Sequence, residues 1–386
     1  MSKVKTTIFG VGMMRGEPGI RSFGVPMPEI KQPDEVLVRM KEVGLDGTDF
    51  NIVRYNLQDI AEGKDRIILG HEGIGVVEGV GKEVKSLQPG DIVSVLVRRG
   101  CGECEPCLNN ASDMCMTGRF TERGIHKMDG LLTEYIVDKE VYLVKVPPAV
   151  KKLAVFTEPL SIVEKGVEQI RIIQSRLPWY CAHDGHSLLD QDWGGCKVAL
   201  VVGAGPLGLL AAALLRLSKA YTYVCDIVPE DHPKVKFVND MEAKYIDVRD
   251  KTPEQMVDFC CTPSGILNII FEASGAAATA LELIPFMSRS SIYVMTGIPR
   301  NDIKINIDAA RLMRQIVRYN QVIVGSVNSN RSHFEMALAD LEKINTSFGG
   351  MLDRMITRRV PLEDYQTAFK IDDPNHIKTI VEIAPW

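Results

Sequence analysis

The sequence predicts an α/β protein of two domains, a β-rich one entered first and a doubly wound parallel sheet with its helices after it. Three observations carry this. Residues 1 to about 160 read as short β-branched runs separated by Gly, Pro and Asp. At Val198 the texture changes to a continuous apolar strand, a glycine turn and a helix of 3.6-residue period. A chain of 386 residues also exceeds what one ordinary core organises.

Composition bounds the function. At 45% apolar, 25% charged and a net charge of −5, the chain reads as an ordinary globular enzyme. It carries no basic stripe, which argues against a nucleic-acid partner. No run of about 18 apolar residues is present, so no membrane span is expected. Met1-Ser2-Lys3-Val4-Lys5 leads into a strand without a signal h-region, and a cytoplasmic location is expected. Nine cysteines in a reduced compartment read as metal ligands or core residues before disulfides.

In the first domain, Val36–Met40, Ile74–Val77 and Ile92–Val97 read as strands, and Gln88-Pro89-Gly90-Asp91 is a turn in which Pro presets φ and Gly tolerates φ > 0. Together they predict a β-barrel whose loops carry function. Gly70-His71-Glu72-Gly73 sets an imidazole beside a carboxylate, both good zinc ligands, but two adjacent ligands cannot complete a site. Asp46, in Val43-Gly44-Leu45-Asp46-Gly47-Thr48-Asp49, and Glu158, in Thr157-Glu158-Pro159-Leu160, are the candidates for the remainder. Taken singly, each has an ordinary reading. Asp46 suits a turn, His71 a core or loop position, Glu72 a surface, and Glu158 a helix start favoured by the dipole.

Cys101, Cys104, Cys107 and Cys115 follow in the spacing C-x2-C-x2-C-x7-C, bent by Gly and Pro. Four thiolates in so short a span close a tetrahedral zinc site with no open position, so the site is expected to be structural. An iron–sulfur cluster also uses four cysteines, but the surrounding pattern of a small electron carrier is missing. A helix is predicted from Glu158, with Pro159 in its first turn and Leu160, Val163 and Val167 on its apolar face. The linker from about Ser175 to Gly195 holds Cys181, His183 and His186. It reads as a polar loop, because no further ligand pattern accompanies the histidines.

Val198–Val202 then runs into Gly203-Ala204-Gly205-Pro206-Leu207-Gly208, a G-x-G-x-x-G match. A helix follows with Leu207, Leu210, Ala211, Leu214 and Leu215 at its spacing, then a strand, Tyr221–Cys225, that ends at Asp226. Strand, glycines, helix, strand and acid in this order point to a dinucleotide, with the glycines letting pyrophosphate approach the helix N-terminus. Asp226 can accept hydrogen bonds from both ribose hydroxyls. Ile227, Val228, Pro229 and Glu230 supply no arginine for a 2′-phosphate, which favours NAD over NADP. Strands at Asn268–Ala273 and Ile292–Met295 end in Ser274-Gly275 and Thr296-Gly297. The C-terminal ends of parallel strands line the ligand crevice, so Ser274, Gly275 and Gly297 are candidate cofactor contacts; bare turn glycines are the alternative. A helix from His333 to about Ile344 and a last strand, Ile377–Ile383, rejoin the first domain.

The order Gly-x-Asp-Gly-Thr-Asp, Gly-His-Glu, four clustered cysteines, Glu-Pro-Leu and G-x-G-x-x-G resembles the zinc-dependent medium-chain dehydrogenases over essentially the whole chain. Arg98-Arg99-Gly100-Cys101-Gly102, Gly124-Ile125-His126-Lys127-Met128-Asp129-Gly130 and Val324-Gly325-Ser326-Val327-Asn328 bring it closer to archaeal-type glucose 1-dehydrogenases. The resemblance implies a GroES-like catalytic domain over 1–185 and 330–386, with a Rossmann cofactor domain over 186–329 between. It implies a catalytic zinc on Asp46, His71 and Glu158, with Glu72 on or near the metal and Asp49 orienting the imidazole. Asp46 stands where most relatives have Cys. This oxygen-rich set implies weaker zinc retention than thiolates give. Thr48 matches the hydroxyl that starts a proton relay, and Asn51 stands where many alcohol dehydrogenases continue that relay with His. Glu122 and Asn328 match sugar contacts, Glu158 reaches the substrate as well, and Asn328 also borders the cofactor. Ile227 and Val228 stand where the subgroup often carries an Arg pair, and Arg318 where some relatives have His.

The expected activity is oxidation of an aldose of the glucose or galactose type at C1 to the lactone. Hydride passes to NAD by preference, with NADP possible, in a homo-dimer or homo-tetramer. The alternatives are a zinc alcohol or polyol dehydrogenase of the same family and a dinucleotide-binding protein without catalysis.

Overall fold

The computed structural model describes residues 6–176, 187, 189–261, 266–299 and 302–386. Cys181, His183 and His186 lie outside these. The chain forms two compact units, Met1–Ser161 with Asn328–Lys343 and Leu352–Trp386, and Ile162–Val327 with Ile344–Met351.

The first unit is β-rich. Its axis is the strand Glu35–Leu45, whose burial alternates at first and then becomes continuous. That change follows from its neighbours. It pairs antiparallel with Tyr135–Lys139 over its first half, with Glu72–Val80 along most of its length, and with Lys378–Glu382 near its end. The last strand therefore returns to this unit. Val36, Val38, Met40, Val43 and Leu45 pack with Val77, Val93, Val95 and Val381 into one apolar core. A smaller sheet, Arg21–Pro26, Thr7–Met14 and Arg66–Ile68, joins the same core through Val11, Met13 and Ile67.

A third sheet is a ribbon of Arg98–Arg99, Thr121–Arg123 and Lys127–Met128. Successive side chains of a strand point to opposite faces. On one face, Arg99 and Arg123 both bond the Asp138 carboxylate, Arg123 through Nε at 2.9 Å, and all three are buried. Burial alone would raise the Asp138 carboxyl, but the two guanidinium charges outweigh it and hold it below its usual range.

In the second unit the described residues form a six-stranded parallel sheet. Its order is Lys244–Asp247, Tyr221–Asp226, Val198–Val202, Ile269–Glu272, Ile292–Met295, Val322–Gly325. In chain order this is 3-2-1-4-5-6, the doubly wound arrangement of a Rossmann domain. Val198–Val202 is buried throughout, as its uninterrupted apolar run requires of a central parallel strand. The helix Pro206–Leu217 packs on it. Gly208 permits the contact, because a Cβ there would stand 1.9 Å from the Gly203 carbonyl oxygen. No helix among the described residues is long and apolar enough to cross a membrane.

The Asp138 pair of ion contacts supplies a stability test. Replacing Asp138 with Ala leaves two buried guanidinium groups without a counter-charge and is expected to cost about 3–5 kcal/mol. Urea unfolding followed by far-UV circular dichroism checks it as a fall in the midpoint.

Candidate active site and metal centre

Asp46 ends the central strand and caps the helix Gly47–Tyr55. Its Oδ1 accepts from the backbone N–H of Thr48 at 2.7 Å and of Asp49 at 3.1 Å, and its Oδ2 accepts from the Thr48 hydroxyl at 3.1 Å. The turn reading of Asp46 is thus realised as a helix cap. Asp49 completes the capping box by accepting from the Asp46 N–H, and its other oxygen takes the Gly70 N–H, both at 3.2 Å. These bonds aim Asp46 and Asp49 at the next residue along, His71. Asp46 Oδ1 lies 3.5 Å from its Nε2, and Asp49 Oδ1 lies 3.4 Å from its Nδ1.

His71 is placed by a glycine contact. Gly70 has φ +85°, and both Gly124 and Gly130 lie so close that a Cβ on either would stand 2.4 Å from the Gly70 carbonyl oxygen. The Gly124–Gly130 phrase therefore lets one backbone lie on another, and it seats the imidazole at the start of the strand Glu72–Val80.

Glu72 and Glu158 form a second cluster with His71. One ligand atom from each of the three lies within 4.8 Å of the others, and all three are buried. Asp46 groups with His71 and Asp49 instead, so the imidazole is shared by two clusters and Asp46 does not close onto the glutamates. Thr157–Gln174 forms the predicted helix, with Glu158 in its first turn. Sequence reasoning missed Lys378. It is fully buried and bonds Glu72 Oε2 across 306 residues of chain.

The electrostatics follow from this crowding. Burial pushes Glu158 up to about 8; the nearby charges of Glu72 and Asp46 add to the rise and His71 opposes it. Burial also raises Glu72, which Lys378 offsets only in part. Burial would lower His71, yet the Asp49 and Asp46 carboxylates hold it well above its ordinary value. Burial would raise Asp46, but the charge and hydrogen bond of His71 hold it well below the usual carboxylate range. Among the described residues, Glu72 Oε1 and His71 Nδ1 are buried without a hydrogen-bond partner. An orphaned carboxylate oxygen among crowded acids and an imidazole fits a divalent ion of the zinc class, with oxygen and nitrogen donors.

The four cysteines form a separate cluster. Their sulfurs all lie within 4.8 Å of one another, and Cys101 and Cys107 are 3.9 Å apart. Tetrahedral Zn–S bonds of about 2.3 Å place sulfurs about 3.8 Å apart, so the cluster fits one such ion. A hydrogen bond from Thr117 and others around it bring the Cys101 thiol down to about 6, whereas burial pushes Cys107 up to about 12.

Glu122 and Asn328, 206 residues apart, meet in the first unit. Asn328 Nδ2 donates to Glu122 Oε1 at 2.6 Å, and both are buried. Asn328 holds φ +57°, a conformation that Asn tolerates better than most residues. Arg98 reaches the same carboxylate oxygen.

In the second unit, Gly203 (φ +103°) turns out of the first strand, Gly205 caps the helix, Pro206 is its first residue, and Leu207 and Gly208 follow. A Cβ on Gly205 would meet nothing within 4 Å, so that backbone is open to a ligand. Asp226 ends the second strand and accepts from Ala204 N–H at 2.5 Å and Ile227 N–H at 2.6 Å. Ser274 lies beside Gly203, at the point where the strand order reverses. Glu272 was missed, being read only as part of a strand. Its Oε1 accepts from Ser274 N–H, Ser274 Oγ and Gly275 N–H at 2.6–2.8 Å, and its Oε2 accepts from Gly297 N–H at 3.2 Å. It ties together the two strand ends nominated for the cofactor. Arg318 is the last residue of the helix Ala309–Arg318.

Two family models match the chain, the alcohol dehydrogenase GroES-like domain over residues 32–148 and the glucose dehydrogenase C-terminus over 151–383. The chain belongs to the zinc-dependent medium-chain dehydrogenases, on their glucose dehydrogenase branch. It is 35% identical to a glucose 1-dehydrogenase of Methanocella arvoryzae over 91% of this chain and 92% of that one. It is 34% identical to the glucose 1-dehydrogenase of Thermoproteus tenax over 94% and 96%. The glucose dehydrogenase of Haloferax mediterranei, solved with NADP, Zn and gluconolactone, superposes with a TM-score of 0.85 at 30% identity. That match covers 98% of this chain and all of the other. The GroES-like and Rossmann folds expected of the family are both present.

Metal uptake at the His71 cluster is expected to displace protons. Near pH 7, Glu158 at about 8 and the raised His71 both hold one in the metal-free protein, and an ion must remove them. Zinc affinity therefore rises with pH through about 8, and goes on rising until His71 too has lost its proton. The stability that the raised Glu158 lends the metal-free fold is full below about pH 4.5 and is lost as pH rises through about 8. Calorimetry in buffers of different ionisation enthalpy checks the first point, with release of at least one proton expected at pH 7.

Proposed function

We propose that this protein oxidises an aldose, of the glucose or galactose type, at C1 to the lactone, passing hydride to a nicotinamide dinucleotide with NAD preferred over NADP. The observation that carries the reading is the buried Glu122–Asn328 pair, an acceptor and a donor suited to sugar hydroxyls, in the same unit as the His71 cluster. Relatives at 34–35% identity that act as glucose 1-dehydrogenases support it.

On this reading Asp46, His71 and Glu158 hold the catalytic zinc, with Glu72 as a further ligand, and Cys101, Cys104, Cys107 and Cys115 hold a structural one. When bound, the catalytic ion supplies a Lewis acid that favours the alkoxide of the C1 hydroxyl. Thr48 donates its own proton to Asp46, which leaves its oxygen lone pairs free to accept the substrate's. Asp46 is 32% exposed and so gives the proton a path to solvent, in place of the His that Asn51 does not supply. Glu122, Glu158 and Asn328 orient the sugar.

Gly203, Gly205, Pro206, Leu207 and Gly208 receive the pyrophosphate, and Ser274, Gly275, Gly297 and Asn328 border the nicotinamide side. Asp226 binds the ribose hydroxyls. Asp247 stands beside it in register, and Arg249 is committed to Asp247 by a forked contact, so a 2′-phosphate meets net negative charge. Residues 1–185 and 330–386 make the catalytic part and 186–329 the cofactor part, in a cytoplasmic homo-dimer or homo-tetramer.

Steady-state kinetics on a panel of aldoses, ethanol and sorbitol, each with NAD and NADP, tests the reading. Fast aldose turnover with NAD is expected, and Asp226→Ser should lower the NAD-to-NADP ratio of kcat/KM by roughly tenfold or more. Ethanol or sorbitol turnover above that of every aldose overturns the substrate assignment. Dialysis against a chelator is expected to abolish activity, and Mn²⁺ or Co²⁺ to restore part of it. Full activity after complete metal removal contradicts the catalytic-zinc assignment.

A further inference from the structure

Arg98 is a buried charge beside the Glu122–Asn328 pair to which the reading above gives no part. It is 9% exposed, against 8% for both Glu122 and Asn328. Its guanidinium is fixed on three sides. Nε donates to Glu122 Oε1 at 2.9 Å, Nη2 stands 2.8 Å from the same oxygen as an ion-pair contact, Nη1 donates to the Asp113 carbonyl at 2.8 Å, and the group lies 4.0 Å over the Phe120 ring. The backbone sets this up, because Arg98 and Glu122 stand opposite each other in the ribbon and their side chains share a face.

The distribution of donors is what points to function. Arg98 Nε and Asn328 Nδ2 both donate to Oε1, and the closest approach of Arg98 Nη2 is to that same oxygen. A carboxylate oxygen has no room for more, and among the described residues no protein donor meets Oε2. A purely structural ion pair would spread its bonds over both oxygens in the parallel fork that arginine and carboxylate favour. Here one oxygen is loaded and the other kept open. An ionised carboxylate only accepts, so the group that completes it must be a donor, such as a hydroxyl. Arginine carries five N–H groups, and those of Arg98 beyond the Glu122 and Asp113 bonds remain to meet a neighbouring hydroxyl oxygen.

We infer that Arg98 is a positioning residue of the sugar site. By loading Glu122 Oε1 it fixes the carboxylate so that Oε2 reads a hydroxyl of the aldose. The inference rests on the aldose reading.

The test is kinetic, with Arg98→Lys, Glu122→Gln and the double variant R98K/E122Q. Lysine keeps the charge but loses the fork. R98K is expected to raise the aldose KM at least tenfold with a much smaller fall in kcat, and with the KM for NAD and the metal content per chain unchanged. Because Arg98 acts through Glu122, the double variant should be no worse than E122Q alone. On a panel of monodeoxy sugars, R98K and E122Q should both lose discrimination at the same hydroxyl. An aldose KM in R98K within twofold of the parent overturns the inference, and so do effects that multiply in the double variant. Metal loss from R98K in proportion to lost activity also overturns it, since that marks a role in the cysteine lobe. If R98K does not fold, R98M/E122Q, which leaves no unpaired buried charge, is compared with E122Q; equal KM supports the inference and a higher KM overturns it. If E122Q itself leaves KM unchanged, this inference falls while aldose oxidation stands. If the parent turns over no aldose, both fall.

Discussion

Carboxylates gathered in a dry interior must be supplied with positive charge, and that requirement shapes the first unit. Asp46, Asp49, Glu72 and Glu158 all stand around His71. Two like charges about 4 Å apart repel by about 4 kcal/mol at an effective dielectric of 20. The protein's own cations do not balance the set, for a protonated His71 and Lys378 bring two charges against four. In the metal-free state a proton on Glu158, whose carboxyl is pushed up to about 8, narrows the shortfall without closing it. A divalent ion brings two positive charges and makes that proton unnecessary. The site is thus built to be completed, and among the described residues it leaves buried polar atoms, Glu72 Oε1 among them, without a hydrogen-bond partner.

The acids are not treated alike. Asp46 and Asp49 sit at a helix N-terminus and are stabilised by backbone N–H groups, which cost no extra side chain. Glu72 lies in the sheet, where backbone donors are consumed by the strand ladder, so its partner must come from elsewhere. The chain provides Lys378 from the last strand, paired antiparallel to the same central strand that ends at Asp46. The return of the C-terminus to the first unit therefore delivers a buried charge as well as a strand. Among the described residues Glu158 receives no such partner, and its carboxyl is the one pushed up to about 8.

How much of this is legible in the sequence depends on how far apart the cooperating residues lie. The cysteine cluster and the glycine turn to Asp226 are local devices, complete within one loop or one βαβ unit, and both stand out as patterns. His71 and Glu72 announce themselves as neighbours, and the family resemblance nominates Asp46 and Glu158. Lys378 does not show, because a lysine in Ile377–Ile383 reads as an ordinary strand residue until the strand is placed beside Glu72. Glu272 is hidden for the same reason, its work being to join two strand ends that only the sheet order makes adjacent. Asp46 is the instructive case. Its plain reading as a turn residue and its reading as a member of the site are one fact, since the bonds that make it a cap are those that aim it at His71.

Two buried glutamates show how a structural acid and a reading acid differ. Glu272 spends Oε1 on three donors and Oε2 on a fourth, so its hydrogen-bonding capacity is taken up by holding Ser274, Gly275 and Gly297. Glu122 takes its donors, Arg98 Nε and Asn328 Nδ2, on one oxygen, and among the described residues no protein donor meets the other. Both are buried and both are glutamates. The difference lies in the neighbours. Backbone N–H groups come at whatever angles a loop dictates and wrap a carboxylate from both sides, whereas a guanidinium is a rigid planar fork that approaches from one side. Placing an arginine opposite a glutamate across a two-stranded ribbon, with an asparagine at positive φ beside it, confines the donors to one edge. Arg99, the very next residue, points to the opposite face, where it pairs with Asp138, bonds the Leu96 carbonyl and lies over the Tyr142 ring. The alternation of a strand is enough to make two identical neighbours do different work.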